Sequence, residues 1–188
     1  MDKAKIIACN GVYEPREDSY LLAEAVEKHA RGNVLDLGTG SGIQGITAAL
    51  KGCPVTFSDV QSAALECARR NAEANSVLER AKFVKSDMFS SLHEKFDTIV
   101  FNPPYLPSGE GVEEEGPPDA SLDGGRHGRR LIDIFLRDFR DFLAPGGIAL
   151  LLESSLNSYE KDVASEKAKI VGKAHYSFED IVVLLIEK

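Results

Sequence analysis

Four consecutive residues, Asn102-Pro103-Pro104-Tyr105, carry the groups needed to grip a flat amino group. They follow the apolar run Thr98-Ile99-Val100-Phe101, which reads as a buried strand. The prolines end it, because proline lacks the N–H that a ladder needs. Each also pushes the residue before it away from helical geometry, so Asn102 and the neighbouring carbonyls are left to face a ligand. The Asn102 amide oxygen and the Pro103 carbonyl could both accept hydrogen bonds from one –NH2 group, with Pro104 beside them and the Tyr105 ring stacked on the group that carries it. Asn-Pro or Pro-Pro alone marks only a strand end. The attached tyrosine and the long loop that follows turn the reading toward a site.

Three carboxylates upstream supply the rest of a site. Asn33-Val34-Leu35-Asp36-Leu37 reads as a strand that runs into Gly38-Thr39-Gly40-Ser41-Gly42 and then a helix over Ile43 to Lys51. Glycines there let the backbone approach a ligand, and the helix N-terminus offers free N–H groups. The spacing Gly40-x-Gly42-x-x-Gly45 also fits the dinucleotide fingerprint, with Asp59 where that pattern places its ribose-binding acid. Asp36, ahead of the glycines, would repel a pyrophosphate, whereas a cationic sulfonium ligand with an amino-acid tail suits it. The acid therefore favours S-adenosylmethionine over NAD; a helix-capping carboxylate is the plainer alternative. Asp59-Val60 closes a second strand, where a carboxylate can take both ribose hydroxyls. Asp87 and Met88 follow a third strand and could meet an adenine amino group and its ring.

The elements that must position these groups alternate. Pro15 and the acidic pair Glu17-Asp18 start a helix over Glu17 to His29, which accounts for most of the N-terminal segment (1–31) but not for Tyr13 and Ser19. Strands are predicted over Asn33–Leu37, Pro54–Ser58, Ala81–Lys85, Phe96–Phe101, Ile148–Glu153, Ile170–Ser177 and Asp180–Glu187. Helices are predicted over Ser62–Asn75, Arg129–Leu143 and Ser158–Lys169. Without repeats or linkers, the pattern predicts one α/β sandwich over residues 1–188, mostly parallel, with a last hairpin adding an antiparallel strand. Residues 106–128, rich in glycine and proline and holding Glu113-Glu114-Glu115, read as a flexible substrate-side loop.

Composition narrows the class. A net charge of −8 argues against a partner recognised through phosphates, which needs a positive surface. No segment reaches the roughly 20 apolar residues of a membrane span. Cys9, Cys53 and Cys67 lack metal-ligand spacing and read as reduced, packed thiols of a cytoplasmic protein.

On these motifs the chain resembles the class I S-adenosylmethionine-dependent methyltransferases, whose fold is a seven-stranded Rossmann-like sandwich. Asp36-Leu37-Gly38-Thr39-Gly40-Ser41-Gly42 is similar to their cofactor motif. Asn102-Pro103-Pro104-Tyr105 is similar to the NPPY motif of members that modify exocyclic base nitrogens or glutamine side chains. Val12-Tyr13-Glu14-Pro15-Arg16-Glu17-Asp18-Ser19 and Gly124-Gly125-Arg126-His127-Gly128-Arg129 resemble the HemK2/Mtq2 branch of the release-factor glutamine methyltransferases. Bacterial members carry an extra N-terminal helical domain for which this sequence has no room.

The resemblance implies cofactor contacts at Ser19, Asp36, Gly38, Asp59, Asp87, Met88 and Asn102, and we place Tyr13, Thr39, Gly40 and Val60 in the same set. It implies that Asn102 and Pro103 hold the target nitrogen, with Pro104 and Tyr105 completing the substrate site. The implied substrate is the Gly-Gly-Gln glutamine of a class 1 release factor, the product S-adenosylhomocysteine, and the implied partner a small zinc-binding activator of the Trm112 type. No metal site is expected. Two rival readings stay open on the sequence: adenine-N6 methylation of DNA or RNA, since the clamp suits a flipped base, and a noncatalytic S-adenosylmethionine-binding subunit.

Overall fold

In the computed structural model, which describes residues 3–106, 127–176 and 178–188, the apolar runs become strands of one sheet. These are β1 (Val34–Leu37), β2 (Val55–Asp59), β3 (Ala81–Lys85), β4 (Phe96–Phe101), β5 (Leu143–Ser154), β6 (Lys169–Tyr176) and β7 (Glu179–Glu187). Their order is β3-β2-β1-β4-β5-β7-β6. β1 to β5 pair in parallel along that order, and β7 runs antiparallel to both its neighbours. The Rossmann-like expectation is met. The expected loop falls almost entirely on residues 107–126, outside the described residues.

Helices α1 (Glu17–His29), α2 (Ile43–Leu50) and α3 (Ser62–Ala74) join the core on one face of the sheet, while α4 (Arg130–Asp138) and α5 (Tyr159–Ser165) join that on the other. Alternation does the sorting: along β1, Val34 enters the first core while Leu35 and Leu37 enter the second. The second core is aromatic. Phe135 stacks on Phe139 at 5.0 Å and meets Phe101 at 5.2 Å, so the residue just before Asn102 packs against the Phe135 ring of α4.

Chain order changes direction between β1 and β4. From β1 the sheet grows outward through β2 and β3; β4 returns to β1's other side, and ligands of open α/β sheets bind outside the carboxyl ends at such a switch. Leu37 pairs with Phe101, so Gly38 and Asn102 leave the sheet side by side. Two loops distant in sequence thus share one edge.

Four expectations need correction. α4 ends at Asp138 instead of Leu143, and a 3-10 turn over Phe139–Asp141 leads from it toward β5. β5 begins at Leu143 instead of Ile148: Leu143 pairs with Phe96 and Ile148 with Thr98, and the residues between them bulge as an irregularity within the strand. α5 stops at Ser165, and Lys167, at φ 53°, turns the chain into β6. Two of the three cysteines are not free thiols. Cys9 and Cys67 form a disulfide with Cα atoms 6.0 Å apart, and only Cys53 stays free and buried among the described residues. Spacing alone gave no sign of it, because the pairing depends on how the N-terminal segment lies along α3. That segment is hydrogen-bonded there: Asn71 receives the Ile7 N–H at 2.9 Å and donates to the Ile7 carbonyl at 3.2 Å. Asn75 does the same for Lys5, at 2.9 and 2.7 Å.

Candidate active site

Every residue assigned to the cofactor from sequence lines one cleft of about 170 Å³: Tyr13, Ser19, Asp36, Gly38, Thr39, Gly40, Asp59, Val60, Asp87, Met88 and Asn102. The glycine loop forms its floor. Asp36, 2% exposed at the centre of the sheet, accepts the Thr39 hydroxyl at 2.6 Å and the Gly45 N–H at 2.9 Å. It therefore fills the helix-start role left open above while still lining the cleft. Burial raises its carboxyl to about 7, against the pull of its bonds from Thr39 and Gly45. At the end of β2, Asp59 accepts the Gly40 N–H at 3.1 Å and the Gln61 N–H at 2.9 Å. A carboxylate has further lone pairs to offer. Val60, 55% exposed, and Met88, at φ 45°, put apolar surface at the same end of the cleft.

The clamp stands on the opposite wall, and its key partner is one the sequence did not single out. Asp18, 3% exposed, reads in the sequence as an ordinary acid of a helix's first turn. In the fold its carboxylate receives the Asn102 amide N–H at 3.1 Å, the Tyr13 hydroxyl at 3.1 Å and the Ser19 hydroxyl at 3.2 Å. Burial, then Asp18, raise the Tyr13 hydroxyl further above its ordinary value, so it stays a donor. An ionised carboxylate only accepts, which forces the NH2 end of Asn102 toward Asp18 and its oxygen the other way. That Asn102 oxygen is buried and has no hydrogen-bond partner among the described residues. Gln44 repeats the arrangement. Its NH2 donates to the Ser19 carbonyl at 2.9 Å and its buried oxygen is unpartnered. The orphaned Gln44 oxygen and Asp36 suit a ligand with N–H donors and positive charge, and the orphaned oxygen of Asn102, a residue bordering this cleft and a neighbouring groove, suits a second N–H donor.

Pro103, Pro104 and Tyr105 line a second groove, of about 400 Å³, on the far side of Asn102. Asn102 and Pro104 border both spaces. The clamp's outer end is pinned from behind. Asn157 donates to the Tyr105 carbonyl at 2.8 Å and to Gly128 at 3.3 Å, and a Cβ on Gly128 would lie 2.1 Å from that same Tyr105 oxygen. Arg129 binds Asp162 at 2.7 Å and Asp133 at 2.8 Å. Burial, then Asp162, raise the unexposed Glu153 carboxyl beside them. The motif through Gly128-Arg129 thus serves to brace the clamp, and His127 contributes its carbonyl, at 3.4 Å from Asn157. Among the described residues no cluster of His, Cys, Asp and Glu could hold a metal ion, and no helix is long and apolar enough to cross a membrane.

A switch-point cleft of acceptors beside a braced amide clamp is the layout of a methyltransferase domain, and the family model described as the methyltransferase small domain matches residues 4–114. A Methanocaldococcus jannaschii protein, provisionally named a protein N5-glutamine methyltransferase, is 34% identical over 92% of this chain and 90% of its own length. Human methyltransferase HEMK2 is 31% identical over 86% of this chain and 80% of its own. The chain belongs to this methyltransferase family. A Chlorobaculum tepidum relative named release factor glutamine methyltransferase is 43% identical, and the chain spans only 33% of its length. Among solved structures, a Lactobacillus delbrueckii ribosomal protein L11 methylase superposes with TM-score 0.67 at 19% identity, over 95% of this chain and 83% of that one. The Thermus thermophilus 16S rRNA N2 G1207 methyltransferase, solved with AdoMet and guanosine, does so at 0.65 and 24%, over 97% and 45%. Both share the fold.

Proposed function

We infer that this one domain methylates the side-chain nitrogen of a protein glutamine, with the Gly-Gly-Gln glutamine of a class 1 release factor as its target. The observation that carries this reading is the buried, partnerless Asn102 oxygen, turned toward the site by Asp18. S-adenosylmethionine, when bound, supplies an electrophilic methyl on a sulfonium and leaves as S-adenosylhomocysteine. Asp36, the Gln44 oxygen and the glycine loop suit its charged amino-acid end, Asp59 its ribose, and Val60, Asp87 and Met88 its base.

An amide nitrogen is a poor nucleophile because its lone pair is delocalised into the carbonyl. Asn102 and the Pro103 carbonyl each accept one N–H of the target. That grip orients the nitrogen and stabilises the positive charge it gains as the new C–N bond forms, and a proton then leaves to water. Asp18 keeps Asn102 from flipping and strengthens its oxygen as an acceptor. Tyr105, whose hydroxyl burial holds well above its ordinary value, stays neutral and packs beside the entering side chain.

The test is methyl transfer to a purified release factor, run beside duplex and single-stranded DNA. Asn102→Ala is expected to lower kcat by about 100-fold or more, and Asp18→Asn by about 10- to 100-fold, with cofactor affinity nearly unchanged in both. Full turnover by Asn102→Ala would sink the mechanism, and transfer to DNA alone would replace the target. A release factor substrate also places the protein in the cytoplasm. A Trm112-type zinc-binding activator belongs to the same reading, tested by whether turnover rises on adding one.

A further inference from the structure

The groove beyond the clamp is bounded by Arg16 and Glu17 before and at the start of α1, by Asn102 to Leu106, and by Tyr176, Phe178 and Glu179 where β6 turns into β7. Phe178 is 80% exposed, the most of any large apolar side chain among the described residues, and Leu106, 38% exposed, lines the same groove. Single exposed apolar residues are ordinary on a protein surface. A bare aromatic ring and a leucine on a charged rim, over a groove whose floor is the target clamp, have the form of an interface anchor. A polypeptide gripped by the clamp from this groove lies against this rim. Its charges are Arg16 against Glu17 and Glu179, with the Asp18 carboxylate beneath, a balance that repels a phosphate backbone and accepts a neutral or basic polypeptide.

We propose that Phe178 and the start of β7 form a docking arm for the protein substrate, with Phe178 and Leu106 receiving an apolar side chain of the loop that presents the glutamine. This rests on the glutamine reading above and adds residues that fix which protein loop is accepted. It acts on recognition and not on the methyl transfer itself, so its signature is a split between KM and kcat.

Steady-state kinetics with full-length class 1 release factor test it, using wild type, Phe178→Ala and Phe178→Leu, with cofactor affinity measured by calorimetry. Because the ring is exposed, neither variant should disturb folding. Phe178→Ala is expected to raise KM for the release factor roughly tenfold, Phe178→Leu to recover part of the loss, and kcat and cofactor affinity to stay at the wild-type values. If the wild type transfers no methyl to a release factor, the glutamine reading falls and the docking arm with it. If it does so and Phe178→Ala keeps the wild-type KM, the docking arm alone falls. A Phe178→Ala protein that loses self-association with KM unchanged assigns the surface to a second copy, which also overturns the proposal.

Discussion

Asp36 does two jobs with one carboxyl. It holds the glycine loop through Thr39 and Gly45, and it faces the cleft in which a cationic ligand is to sit. Burial raises it to about 7, so the free protein near neutrality is a mixture of charged and uncharged forms. A cation selects the charged form, so proton and ligand compete. Cofactor affinity is therefore expected to fall about tenfold between pH 8 and pH 6 and to level off above, in calorimetric titrations without substrate. Asp36→Asn should bind more weakly with a flat pH profile; a flat profile in the wild type would refute the assignment. At this scale the clamp was legible, because Asn-Pro-Pro-Tyr restricts its own backbone whatever surrounds it. Asp18 was not. An acid at the start of a helix looks the same in sequence whether its carboxylate faces water or is buried against an asparagine 84 residues away.

The strand–loop–helix unit at residues 34–50 was readable as an element, but the reason for its fourth glycine, Gly45, was not. The spacing also fits the dinucleotide fingerprint, whose last glycine serves helix–strand packing, and the fold gives Gly45 that packing role. A Cβ there would lie 2.3 Å from the Phe57 ring, so only glycine lets α2 press onto β2. Gly45→Ala is expected to destabilise the protein by about 1–3 kcal/mol, measured by denaturant unfolding, and Phe57→Leu in the same chain should return part of it. Equal stability of Gly45→Ala and wild type would show that the ring yields freely. The misjudged start of β5 has a tertiary cause. β5 extends back to Leu143 because Phe96 offers it a partner, and no local propensity records the partner's presence.

At the scale of the whole molecule the N-terminal segment is the unexpected feature. Cys9 is tied to Cys67 of α3 across 58 residues, and Asn71 joins the same segment to the glycine loop by donating to the Ser41 carbonyl at 2.9 Å. Gly11, Val12 and Tyr13, close behind it in the chain, wall the cleft proposed for the cofactor. Reduction, or Cys9→Ser, is expected to cost about 2–4 kcal/mol of stability, read as a lower melting temperature with reductant than without. Three reactive thiols in the unreduced, denatured protein would rule the bond out.

The sequence by itself determined the seven strands, the acidic loop positions and the amide clamp. Each is carried by local chemistry: apolar runs, glycines, and prolines that act on their immediate neighbours. Only the tertiary structure decided which way Asn102 points, what braces Tyr105 and which cysteines meet. Those depend on atoms brought together across the switch between β1 and β4 and along the packed face of α3. Pair energies at such distances in sequence leave no periodicity behind, because the chain between the partners is free to vary so long as the sheet puts them side by side.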